Sequence, residues 1–252
     1  MSGNDLPVAG WYGKIPALAD FASRRLDPAF VTAWDGWLRA SLLVSKEKLG
    51  QAWLDRYLTA RVWRFLLTPG VCGNAAYIGV MMPSVDGVGR YYPFTICAPI
   101  SPPWTARFAR AEGMGWFSQV ERVALEALSQ NLSPDHIDEA LLRCGLPRAL
   151  PEDAQLDDTV SQLADAWRLR PNAITQMGLK GAHSLGDLFL SMGRTTFGRM
   201  SEGKSLWWTD APEFAMPILL RFDGMPPPHA FAQFLLLRPG EPEASQSVMA
   251  GY

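Results

Sequence analysis

Cysteine is scarce in this chain. Cys72, Cys97 and Cys144 are odd in number and far apart, which excludes a disulfide framework and fits a reducing compartment. His136, His183 and His229 are the only histidines, with no H-x-x-x-H spacing, and no C-x-x-C pair exists, so no metal-ligand motif stands out. No apolar run approaches the ~20 residues that span a bilayer. The first ten residues, Met1 to Gly10, lack the basic and apolar regions of a signal peptide. No run of five like charges occurs, and the net charge is −2. A polybasic membrane patch and the basic footprint of a nucleic-acid binder are both missing. The expectation is a soluble, cytoplasmic protein with no membrane span and no nucleic-acid partner.

Aromatic residues are plentiful. Ten Trp and twelve Phe in 252 residues supply large areas to bury, in a core or against a partner. Hydrophobic residues make up 48% and charged residues 19%, enough apolar surface for a sizeable core.

Local patterns predict an alternation of strands and helices. Residues 8–13 read as a short strand. Asp27 as N-cap and Pro28 at the first helical position open a helix that Gly50 closes, with Phe30, Val31, Trp34, Leu38 and Leu42 forming its apolar stripe. A shorter helix is expected over residues 51–58, then strands over 62–67, 75–82 and 91–98, the last two joined by the turn-rich stretch 83–90. Trp116, Val120, Val123, Ala124, Ala127 and Leu128 recur at helical steps, and Ser133-Pro134 opens another helix. Residues 146–158 read as an exposed, acidic linker. Helices are expected over 159–167 and 185–192, strands over 205–208 and 213–222, and a short element over 230–237 before a polar tail from Pro239. Without strict βαβ alternation, these elements favour a mixed-sheet sandwich over a doubly wound fold.

Several short motifs invite a catalytic reading. Gly198-Arg-Met-Ser-Glu-Gly203-Lys204-Ser205 matches the phosphate-loop pattern, and Ile218 to Asp223 resembles the apolar strand that ends in a magnesium-binding Asp. A phosphate loop needs a strand before it and a helix N-terminus after it, yet Ser205 is followed by a strand-like Leu206-Trp207-Trp208. A chance match is the better account. Ser45-x-x-Lys48 and Ser201-x-x-Lys204 both fit S-x-x-K but lack its companion motifs, and no G-x-S-x-G elbow is present. The expectation is a protein that is not an enzyme and carries no cofactor.

The polar residues with the most purposeful placement are Lys14, Asp20, Arg64, Ser84, Asp86 and Arg90. Asp86 and Arg90 flank a Gly-rich turn, where a charge-assisted pair would fix the loop; a loop shaped to meet a partner is the competing account. If Trp207 and Trp208 are strand residues, they face opposite ways; the outward ring is an interface candidate, with a ring covered by other elements as the favoured alternative.

Gly10-Trp11-Tyr-Gly-Lys14-Ile-Pro16, followed by Asp20-Phe21, resembles the opening signature of TagF proteins associated with type VI secretion. Trp34-Asp-x-Trp37, Trp53-Leu, Tyr57-Leu-Thr-Ala60, Trp63-Arg64-Phe65 and Pro69-Gly-Val-Cys-Gly73 are similar in turn. So are Met82-Pro-Ser84-Val-Asp86-x-Val-Gly89-Arg90-Tyr-x-Pro93 and, downstream, Ser205-Leu-Trp207-Trp208. The dense match spans residues 8–99; Ala19 stands where a Gly commonly precedes the Asp-Phe pair. The match is sparser over 100–238. That the sheet is mixed and that 239–252 form a flexible tail are read from the residues themselves. The resemblance implies one α/β domain over residues 1–252, a three-layer α/β/α sandwich with helices on both faces of the sheet. It further implies a post-translational repressor of secretion-machine assembly or firing. The implied partner is a scaffold bearing a forkhead-associated domain, linked to a Ser/Thr kinase–phosphatase pathway. A nucleotide-binding protein and a structural subunit of the machine are the alternatives.

Overall fold

A computed structural model describes residues 8–101, 104–146, 151–169, 184–209 and 218–237. Seven strands form one sheet: β1 (Gly10–Gly13), β2 (Ala22–Arg24), β3 (Trp63–Leu67), β4 (Ala76–Met82), β5 (Phe94–Ile100), β6 (Lys204–Trp208) and β7 (Leu219–Asp223). Their spatial order is β2-β1-β5-β4-β3-β6-β7. The layered α/β expectation holds, and within it every pairing between strands is antiparallel rather than mixed.

Strand alternation sends successive side chains to opposite faces, and both faces here are apolar because helices cover both. On one face Trp11, Ile78, Val80, Ile96 and Leu66 meet α3 (Trp104–Gly113), α4 (Trp116–Ser129) and α5 (Pro134–Cys144). On the other, Trp63, Phe65, Tyr77, Met81 and Trp207 meet α1 (Pro28–Leu49), α2 (Trp53–Leu58) and α8 (Phe231–Leu236).

Helix α1 forms where its capping residues dictate. The Asp27 carboxylate accepts from the backbone N–H of Ala29 and Phe30, Pro28 starts the helix, and the Gly50 N–H donates back to the Lys46 carbonyl. Trp34 is fully buried and stacks among Phe30, Trp37, Phe65 and Trp207, with its indole N–H donating to Thr95 Oγ1 at 3.1 Å. The predicted core role of this stripe holds.

One stretch differs from its prediction. Residues 151–158 belong to helix α6 (Pro151–Leu169) and are no linker. Leu156, Val160 and Leu163 recur at helical spacing and bury against Leu188 and Met192 of α7 (Leu185–Ser201), outweighing the turn-rich composition. The predicted strand over 213–222 begins at Leu219, with 213–217 outside the described residues, as are the tail from Pro239 and His183.

Candidate functional site: a two-loop surface

The long β4–β5 connection lies beside the segment that follows β1, and Asp86 ties them together. Its carboxylate is buried and receives the Lys14 ammonium at 2.7 Å and Arg90 Nε at 2.7 Å. It also accepts the backbone N–H of Val88 at 3.1 Å and of Arg90 at 2.8 Å. Arg90 Nη2 donates onward to the Ala19 carbonyl, and the Gly87 N–H donates to the Leu18 carbonyl at 2.7 Å. Burial by itself would raise the Asp86 pKa. The Lys14 ammonium, the Arg90 backbone and guanidinium and the Val88 N–H outweigh it and hold the carboxyl well below the usual carboxylate range.

Two glycines are required by this geometry. Gly89 has φ of +85°, which side-chain-bearing residues rarely adopt. At Gly87 a Cβ would sit 2.8 Å from the Pro16 carbonyl oxygen, so only glycine lets the two loops touch. Ser84 enters through its backbone: Tyr57 Oη donates to the Ser84 carbonyl at 2.9 Å and accepts its N–H at 3.0 Å.

Next to the clasp, Asp35 of α1 accepts Tyr12 Oη at 2.5 Å and Tyr92 Oη at 2.7 Å, and pairs with Arg39 at 2.6 Å. Burial opposes its ionised form, but these three donors outweigh that and lower its pKa. Burial and the Asp35 carboxylate together push the Tyr12 and Tyr92 hydroxyls well up, so both remain donors. Phe21 stands over this network, edge-on to Tyr92 at 4.7 Å and 4.8 Å from the Lys14 ammonium. Asp20 turns back to accept the Phe21 N–H at 2.8 Å.

The outcome is a rigid surface whose polar atoms are largely committed to holding backbone. Val88 projects 63% exposed at its tip beside the exposed guanidinium of Arg90 on the same loop, and Phe21 is 37% exposed with the exposed Arg39 guanidinium of α1 5.9 Å from its ring. A preformed pair of apolar side chains with arginines nearby has the composition of a protein-binding hot spot.

The structure brings together Lys14, Pro16, Asp20, Ser84, Asp86, Gly89 and Arg90. It places the other candidates elsewhere. Trp11 is buried on the α4 side and donates to Asp138 of α5 at 2.8 Å. Arg64 cross-links the sheet to α4 through Glu121 at 2.8 Å and Ser118 at 3.1 Å. Trp207 and Trp208 do face opposite ways, yet neither forms an open interface. Trp207 is fully buried against α1, and half-buried Trp208 packs on Phe108 and Phe117 under α3 and α4. Asp35, Tyr12, Arg39 and Tyr57 are the residues that motif reading missed. Tyr12, Asp35 and Tyr57 lay inside matched segments, whereas nothing local marked Arg39.

The phosphate-loop lookalike takes the reverse order of a nucleotide site, running from the end of α7 into β6. Ser205 Oγ donates to the Gly224 carbonyl at 2.7 Å, and Lys204 lies 3.6 Å from Asp223. A 3.6 Å pair whose carboxylate is exposed contributes little, so Lys204→Ala is expected to shift Tm by about 2 °C or less in a thermal melt. Burial pushes the Cys72 thiol up to about 11 and Cys97 well above its ordinary value, which disfavours thiolate at neutral pH. Among the described residues no cluster of three or more His, Cys, Asp or Glu is placed to hold a metal, and no helix is long and apolar enough to cross a membrane.

Comparison with known proteins bears on this surface. A family model described as the TagF N-terminal domain, type VI secretion system-associated, matches residues 10–144, just over half of the chain and both loops of the clasp. The crystal structure of PA0076 from Pseudomonas aeruginosa PAO1 superposes with a TM-score of 0.68 at 32% sequence identity, covering 94% of this chain and 96% of that one. No curated protein sequence matches the chain.

Proposed function

This chain belongs to the TagF family of type VI secretion system-associated proteins, and from that premise we propose that it is a non-enzymatic, post-translational repressor of the secretion machine. It acts by binding a regulatory component in the cytoplasm. The partner is the scaffold bearing a forkhead-associated domain, and through it the Ser/Thr kinase–phosphatase pathway that controls the system. The observation that supports this reading is the Asp86 clasp. Lys14 and Arg90 are engaged in fixing backbone, and what the loops present outward is Val88, Phe21 and nearby arginines. Such a surface binds by shape and apolar burial, with no bond made or broken.

Val88→Asp tests it, because Val88 is exposed and its side chain supports nothing in the fold. The variant is expected to keep the wild-type Tm within about 2 °C and to bind the purified scaffold about 10-fold or more weakly in a titration. Unchanged affinity in Val88→Asp and Phe21→Ser would move the binding face away from these loops. No binding by the wild-type chain, with repression in cells intact, would assign repression to another partner.

A further inference from the structure

We propose that the exposed face formed by α2 and α8 is a second protein-docking surface, and that its occupant presents an apolar side chain beside a carboxylate that pairs with Arg61. This surface does not rest on the repressor reading. It starts from a cation with an incomplete set of partners. Arg61 Nη1 donates to Thr209 Oγ1 at 3.1 Å, while Nε is buried and has no acceptor. Arg64, Arg90 and Arg194 each meet a carboxylate, but Arg61 forms no ion pair among the described residues. Burial lowers its pKa with no opposing charge to restore it. Holding a guanidinium partly dry and uncompensated is unfavourable, and a carboxylate brought by a partner removes that cost.

The surroundings fit such a partner. Arg61 borders an apolar cleft walled by Tyr57, Trp63, Met82, Phe231 and Leu235. The cleft leaves only about 10 Å³ of room for a water-sized sphere, so it admits the tip of one side chain and no small molecule. Outside it, Leu54 and Leu58 stand one turn apart on α2, and Leu236 follows Leu235 on α8; all three are exposed. The two helices pack against each other, and Leu58 stands three residues before Arg61 in the chain. Asp55 and Arg56 of α2 have partners of their own, so the charge left to meet is that of Arg61, and exposed leucines with this arginine are complementary to a segment in which an aliphatic or aromatic residue neighbours Asp or Glu.

The test is a selection of phage-displayed random twelve-residue peptides on the full chain, followed by titration of synthetic copies of the enriched sequences. Enrichment of sequences pairing an apolar residue with Asp or Glu is expected. Their affinity should fall about 10-fold or more for Arg61→Gln and for Leu58→Glu, and remain at the wild-type value for Val88→Asp. Arg61→Met should keep or raise the Tm while abolishing the acidic preference, since it removes a poorly compensated charge. Failure to enrich any peptide, enrichment without acidic residues, or equal binding by Arg61→Gln would overturn the proposal. So would a clear fall in the Tm of Arg61→Met, which would make the guanidinium structural. A dimer in sedimentation that Arg61→Glu dissolves would also overturn it, by giving the surface to a second copy of the chain.

Discussion

Replacing Asp86 with alanine is expected to lower the Tm by roughly 10 °C and to abolish binding by the loop surface. The Lys14 ammonium sits 2.7 Å from that carboxylate and is itself buried, so removing Asp86 strands a charge away from water. Arg90 and the N–H groups of Val88 and Arg90 lose their acceptor in the same change, and the turn loses its internal support. Asp86→Asn should be milder, because an amide oxygen still accepts from the backbone. The pH dependence follows from the depressed pKa of the native carboxyl. A group of this kind adds stability above its unfolded value, about 3.9, and that stability is lost as pH falls toward the native value. The Tm difference between wild type and Asp86→Asn should therefore be full at pH 7 and shrink as pH drops below about 4. Melts across that range check the sign; a gap that stays constant would contradict the account.

Trp34→Ala is expected to cost about 4 kcal/mol, a Tm lower by roughly 10 °C. Trp34 is fully buried at the centre of the larger aromatic cluster, with ring centroids of Trp37, Phe65, Phe30 and Trp207 between 4.9 and 5.9 Å away. Its loss leaves a void that rigid rings cannot fill by small movements, and leaves Thr95 without its indole donor. Chemical denaturation measures the effect. A change below about 1 kcal/mol would show that the two layers pack loosely here.

Helix α1 was legible end to end. Its cap, its proline, its closing glycine and its aromatic stripe are all local signals, and all act locally. Asp86 with Arg90 was legible for the same reason, four residues apart across a glycine turn. Lys14 was visible as a motif residue but its partner was not, because the two meet only through the β1–β5 register, 72 residues apart in sequence. Strand β2 has three residues, too few to show alternation. The Trp207–Trp208 pair revealed its two faces but could not reveal that helices cover both, since coverage depends on how distant elements return to the sheet. The helix over 151–158 was hidden by acidic, turn-forming residues; its stripe begins only at Leu156, and the surface it buries belongs to α7.

Secretion of the machine's tube protein is the most direct test of the repressor assignment, measured in cells overproducing this chain and in cells lacking it. The account predicts a fall on overproduction and a rise on deletion. Loss of secretion on deletion would contradict it, making the chain a working part of the machine.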